Sequence, residues 1–283
     1  LLVPYDLGLG HGHLALSSWR QCPSGIRVMN NPLGYTIDTQ RLSSMFFSPT
    51  FATRYLHVLL GAGLLGGSWV LWKLPTPSRR GLLLLLFLWV GQFVAGHGSA
   101  KVSYQHQPEK FAVFEGHTGT YESADLWLYP SANAPKAFKL KGMLSYLLYQ
   151  DTQAPIYGTE AWKEGYLTDM KDWTFKSYHF MVLGHFTLLL LLLLAWVRLQ
   201  FGKGLPVKHA LGLFALTSLL SNIFGWYTAE LGRQPWMIRG ILAVKDAAPE
   251  VTVALAQEGV LYLVLALAGP LFAGWSAKRL GLF

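Results

Sequence analysis

The sequence has 283 residues, 52% of them hydrophobic and 13% charged, against about 25% charged in an ordinary soluble domain, a deficit that argues against a soluble enzyme. Lys and Arg number 23 and Asp and Glu 15, a net charge of +8, which raises the question of nucleic acid only after the basic residues have been placed relative to membrane segments. A single cysteine, Cys22, excludes an intrachain disulfide framework, a four-cysteine zinc site, an iron–sulfur cluster held by this chain alone and the C-x-x-C-H attachment of a c-type haem, so any metal must be held by His, Met or carboxylates.

Leu1–Trp19 is mildly apolar but broken by Pro4, Asp6, His11, His13 and three glycines. It is expected to be the end of an earlier helix, with a connecting segment to about residue 50, and it lacks the basic start of a signal peptide. Five stretches then lack Asp, Glu, Lys and Arg: Tyr55–Trp72, Gly81–Ala100, Ser177–Val197, His209–Ala229 and Gly259–Ala277, of 18, 20, 21, 21 and 19 residues. At about 1.5 Å per residue each spans roughly 27–32 Å, the hydrocarbon thickness of a bilayer. The fold class is therefore an all-α, polytopic membrane helix bundle. Helices A and B fall in 51–100, an outer loop in 101–176, helices C and D in 177–229, a second outer connection in 230–250, and helix E with the tail in 251–283.

The A–B connection carries Lys73, Arg79 and Arg80, the C–D connection Arg198, Lys203 and Lys208, and the tail Lys278 and Arg279, with no acid in any of them. The positive-inside rule puts these three segments in the cytoplasm and the mixed-charge B–C and D–E connections outside. Most of the +8 is topological signal, which removes the nucleic-acid reading. The expected setting is a multi-pass membrane protein with the long loop on the outer side.

His57 lies near the outer end of helix A, and Met181 lies one to two turns into helix C, which also enters from outside. A nitrogen and a thioether at one level are a haem ligand set that closes both axial positions and suits an electron carrier. The other reading is a hydrogen-bonded core histidine and a space-filling methionine, and His179 and His185 on helix C are competing ligands. Helix D ends in Gly225-Trp-Tyr-Thr-Ala-Glu230-Leu-Gly-Arg233-Gln-Pro235-Trp236. There Gly232 and Pro235 break the helix, Glu230 can supply an anionic oxygen to iron, and Arg233 can pair with a haem propionate or with Glu230.

The string Gly-Trp-x-x-x-Glu-x-Gly-Arg-Gln-Pro-Trp at 225–236 resembles the signature of subunit I of the cytochrome bd quinol oxidases. Gln107-Pro-Glu-Lys110-Phe-Ala-Val-Phe-Glu115-Gly-His117 is similar to that family's quinol-loop motif, and Trp19-x-x-x-Pro23-x-Gly25 to its segment before helix A. The resemblance implies that His57 and Met181 hold a low-spin haem b and Glu230 a high-spin haem b, with Arg233 and Trp236 at the same cofactor. A third haem, d or b, would be shared with N-terminal helices. The family's subunit has nine helices, of which these would be the last five. Its first-helix histidine and acidic proton path have no counterpart here and are expected to come from a separate chain or to be absent. His179 stands where the family commonly has Arg.

Oxidising a quinol releases two protons and two electrons, so its site needs a proton acceptor and a hydrogen-bond donor to the developing quinone oxygen. As bare residues Lys110 and Glu115 read as solvated charges. The resemblance implies instead that they flank the quinol ring, with Gln107 and Glu109 nearby. The expected function is a subunit of a bd-type quinol:oxygen oxidoreductase, with a second oxidase subunit, quinol and oxygen as partners. Electrons would run from quinol through the His57/Met181 haem to a di-haem site that reduces oxygen. The alternatives are a haem b electron-transfer subunit of another respiratory complex without oxygen reduction, and a membrane anchor or transporter.

Overall fold

The computed structural model describes Ser48, residues 50–127, 139–162 and 167–247. Cys22, the helix end expected at Leu1–Trp19, and helix E with its tail lie outside the described residues. In chain order the helices are α1 (Phe51–Lys73), α2 (Arg79–His106), α3 (Pro108–Glu115), α4 (Met143–Tyr149), α5 (Lys171–Phe201), α6 (Val207–Leu231) and the short α7 (Val244–Ala247). Two antiparallel ribbons complete them, β1 (Leu126–Trp127) with β2 (Lys139–Leu140) and β3 (Trp236–Ile238) with β4 (Leu242–Ala243).

Among the described residues four helices, α1, α2, α5 and α6, are long and apolar enough to cross a membrane. They coincide with A to D, and each runs past its charge-free stretch. Lys101 continues α2, and Lys171, Asp172 and Arg198 lie within α5, because a helix goes on into the headgroup region where charged ends are solvated. Local chemistry sets the ends. Ser78 caps α2 by accepting from Gly81 N at 3.1 Å, Pro108 forces Gln107 out of the helical region and so separates α2 from α3, and Gly202 closes α5 with φ 67°.

The four spans form a ring in which α1 packs on α2 and α6, and α5 packs on α6 and α2. α1 and α5 therefore stand on one diagonal. One half of the ring is a continuous apolar core, with Leu64, Leu82, Leu85, Leu188, Leu211 and Phe214 each no more than 3% exposed. The outward faces are also apolar, with Phe87 73% exposed and Leu84, Val94 and Leu190 above half. Such a surface suits lipid and would aggregate in water.

The loop between α2 and α5 has its own core, Phe111, Phe114, Ala124, Leu144 and Ile156. It also seats α3 against the bundle, where Phe114 packs on Tyr178 at 4.4 Å. Gly116 ends α3 at φ 76°, and a Cβ there would lie 2.5 Å from Phe175. Gly116→Ala is therefore expected to cost about 1–3 kcal/mol through left-handed strain and overpacking, read as a lower inactivation temperature of the detergent-solubilised protein. An unchanged temperature would show that the turn can move off Phe175.

Candidate functional site

The half of the ring opposite the leucine core differs from it. A Cβ at Gly61 would lie 2.8 Å from Asn222 Oδ1 on α6, and since α1 and α6 are antiparallel, His57 on α1 is level with Trp226. A Cβ at Gly225 would lie 3.0 Å from Met181 Sδ. His57 and Met181 therefore share one level on diagonal helices. The Gln92 side-chain amide on α2 donates to His57 Nε2 at 3.2 Å, and Gly96 lets α2 close on the imidazole, with a Cβ there 3.2 Å from His57 Cε1. One turn beyond Met181, the His185 ring stacks on Trp89 at 4.6 Å and on Phe93 at 5.9 Å.

His57 Nδ1, Gln92 Oε1 and His185 Nε2 are buried with no hydrogen-bond partner. Three orphaned polar atoms in a lipid-embedded bundle are costly unless something meets them. His179, the other competing residue, is buried and turned to the loop layer, where its Nδ1 donates to Phe175 O at 2.9 Å. Gln92 and Asn222 are the members that charge and histidine counting passed over. Their signal was available, as amides inside the charge-free stretches 81–100 and 209–229.

The second cluster lies where α6 ends. Lys110 of α3 donates to Ala229 O at 3.1 Å, and a Cβ at Gly232 would lie 2.9 Å from Lys110 Cε, so Gly232 is what allows α3 to seat there. The two connections expected on one side of the membrane thus touch. Glu230 pairs with Arg233, Oε2 accepting from Nη2 at 2.8 Å and from Nε at 3.3 Å, and Arg233 Nη1 donates to Trp236 O at 2.7 Å. Glu109 forms a two-pronged pair with Arg239, beyond the signature string, with Nη2 to Oε2 at 2.8 Å and Nε to Oε1 as the other prong.

Between α3 and the β3–β4 hairpin lies a small cleft whose walls include Gln107, Lys110, Thr168, Arg233 and Trp236. Gln107 is 1% exposed, and its Nε2 has no hydrogen-bond partner. Burial pushes the Lys110 ammonium well below the usual lysine range, helped by Arg54 and opposed by Glu230 and Glu109. Glu115 does not reach this cleft. About a turn and a half further along α3, it is buried beside Tyr178 of α5. Burial pushes its carboxyl up to about 7. Lys110 and Glu115 therefore face different helices, although one short helix carries both.

The profile of the family described as cytochrome bd terminal oxidase subunit I matches residues 13–278. The chain belongs to that family. Similar curated proteins include the cytochrome bd ubiquinol oxidase subunit 1 of Bacillus subtilis (strain 168), 25% identical over 84% of this chain and 59% of the relative. A putative cytochrome bd menaquinol oxidase subunit I of the same organism is 26% identical over 85% of this chain and 58% of that relative. The chain thus spans somewhat under two thirds of the length of the curated relatives it matches. Among solved structures, the bd oxidase from Geobacillus thermodenitrificans superposes with a TM-score of 0.71, at 21% identity, over 94% of this chain and 66% of that one, a likeness of fold.

Membership in the bd family implies haem, and the donor set fits one. Among the described residues no three His, Cys, Asp or Glu side chains gather to hold a bare ion, and a structural zinc site needs four protein ligands. A porphyrin brings four of its own, so an axial nitrogen and an axial sulfur suffice. His57 and Met181 offer that pair at one level, in the half of the bundle with orphaned polar atoms.

Proposed function

We propose that the chain is the haem-bearing, quinol-oxidising part of a bd-type terminal oxidase in a bacterial inner membrane, with the α2–α5 loop on the periplasmic face. The observation that carries the reading is the shared level of His57 and Met181 on diagonal helices, directly below a loop helix whose cleft holds an unpartnered buried amide. His57 and Met181 would hold the low-spin haem b, and Glu230, with Arg233 and Trp236 beside it, would hold a high-spin haem b next to a third haem of type d or b. When bound, haem supplies the one-electron acceptors that a two-electron quinol oxidation requires. The partners in this reading are quinol, oxygen, a second oxidase subunit and the helices that complete subunit I.

The loop residues handle the protons. Gln107 Nε2 and Lys110 Nζ donate to the ring oxygens, and of the two protons released as quinol becomes quinone one leaves directly to the outer side while the other passes along α3 to Glu115, which lies outside the cleft. The Glu115 pKa sits above its ordinary 4.5, at about 7. Its neutral form therefore supports the folded loop, a contribution complete below about 4.5 and lost as pH rises through about 7. The carboxylate needed as base forms over the same interval. Quinol oxidation by membranes carrying the assembled oxidase should therefore climb as pH rises through 7, and Glu115→Gln should lower the rate and flatten that limb while the haem bands persist. The same limb surviving in Glu115→Gln would remove the carboxyl from proton transfer.

A further inference from the structure

Glu109 and Arg239 lie 130 residues apart, one on the loop helix α3 and the other just after β3, and their two-pronged pair joins the two sides of the cleft. Both line it, and the side chains are only 7% and 25% exposed. A planar guanidinium gripping a carboxylate through two parallel bonds fixes angle as well as distance. Lys110 holds the adjacent point of α3 to the end of α6, donating to Ala229 O at 3.1 Å. The Arg239 fork adds a tie from the hairpin side of the cleft.

We propose that the Glu109–Arg239 pair is a positioning latch that sets the width of the cleft between α3 and the β3–β4 hairpin, and hence the affinity for quinol, while touching no haem. This rests on the proposed reading of the cleft as the quinol site. Neither residue belongs to the proton-handling set. Arg239 acts through Glu109, by holding Gln107 and Lys110 at a fixed separation from Arg233 and Trp236. The latch joins two connections rather than two spans, so breaking it leaves the His57/Met181 level intact.

The test uses the assembled oxidase in native membranes, with Glu109→Ala, Arg239→Ala, the double variant and the exchanged pair Glu109→Arg/Arg239→Glu. Two measurements are made: KM and kcat for a short-chain quinol, and the rate at which added trypsin cuts within 101–170. Each single variant should raise KM about tenfold, with a smaller fall in kcat, and speed cleavage severalfold, with haem absorbance retained. In the double variant the effects should be less than additive, because no charge is left buried without its partner. The exchanged pair should recover most of both readouts. Unchanged cleavage in both single variants overturns the latch, and faster cleavage with unchanged KM overturns its link to substrate. If wild-type membranes oxidise no quinol, the quinol reading falls, and the latch then stands or falls on cleavage alone.

Discussion

His57→Ala and Met181→Leu are each expected to abolish the low-spin haem b signal while the protein still inserts in the membrane. The substitutions are chosen for what they leave in place. Leucine keeps most of the volume of methionine, so the contact with Gly225 survives without a sulfur, and volume-conserving changes of this kind usually cost under about 1.5 kcal/mol. His57→Ala removes the imidazole and releases the Gln92 amide, a polar loss worth about 1–3 kcal/mol, which four apolar spans can absorb. Loss of the spectrum with normal protein levels therefore reports ligation rather than folding. His185 sharpens the result. It stands one turn beyond Met181, with a buried ring nitrogen lacking a partner, so a low-spin spectrum that persists in Met181→Leu with a lowered potential would transfer the axial role to His185. An unchanged spectrum in His57→Ala would remove α1 from the site.

Glu230→Gln is expected to weaken the high-spin haem and oxygen reduction while sparing the low-spin haem, and Glu230→Asp should keep part of both. A carboxylate is a weak-field, anionic ligand, which favours high-spin iron. Burying such an anion costs several kcal/mol unless cations compensate it, and the Arg233 fork at 2.8 and 3.3 Å does so on one oxygen. Arg233 is itself fixed by Trp236 O, so the Gln variant keeps the helix end while removing the charge. Full high-spin absorbance in Glu230→Ala would make the carboxylate structural, a partner for Arg233 only.

Much of this was legible in the sequence because a bilayer is a simple solvent. Absence of charge over about twenty predominantly apolar residues marks a candidate span, and α1, α2, α5 and α6 follow it. The common level of His57 and Met181 was also legible, since depth in a membrane helix is a count of residues from its charged end. The ends themselves were not, because Lys101 and Lys171 continue a helix as readily as they terminate an apolar run. Nor was the division of labour on α3. Spacing alone left Lys110 and Glu115 able to flank one ring, and only the packing of Phe114 on Tyr178 turns Glu115 toward α5. The Glu109–Arg239 pair joins two loops far apart in sequence and leaves no periodic trace.

The measurement that bears most directly on the central claim is a reduced-minus-oxidised spectrum of the purified protein with its accompanying chains, recorded first with a quinol and then with dithionite as reductant. Haem b bands should develop with quinol, grow further with dithionite, and lose their low-spin part in His57→Ala. Absence of haem bands with either reductant would contradict the assignment of this chain as a haem-bearing oxidase subunit.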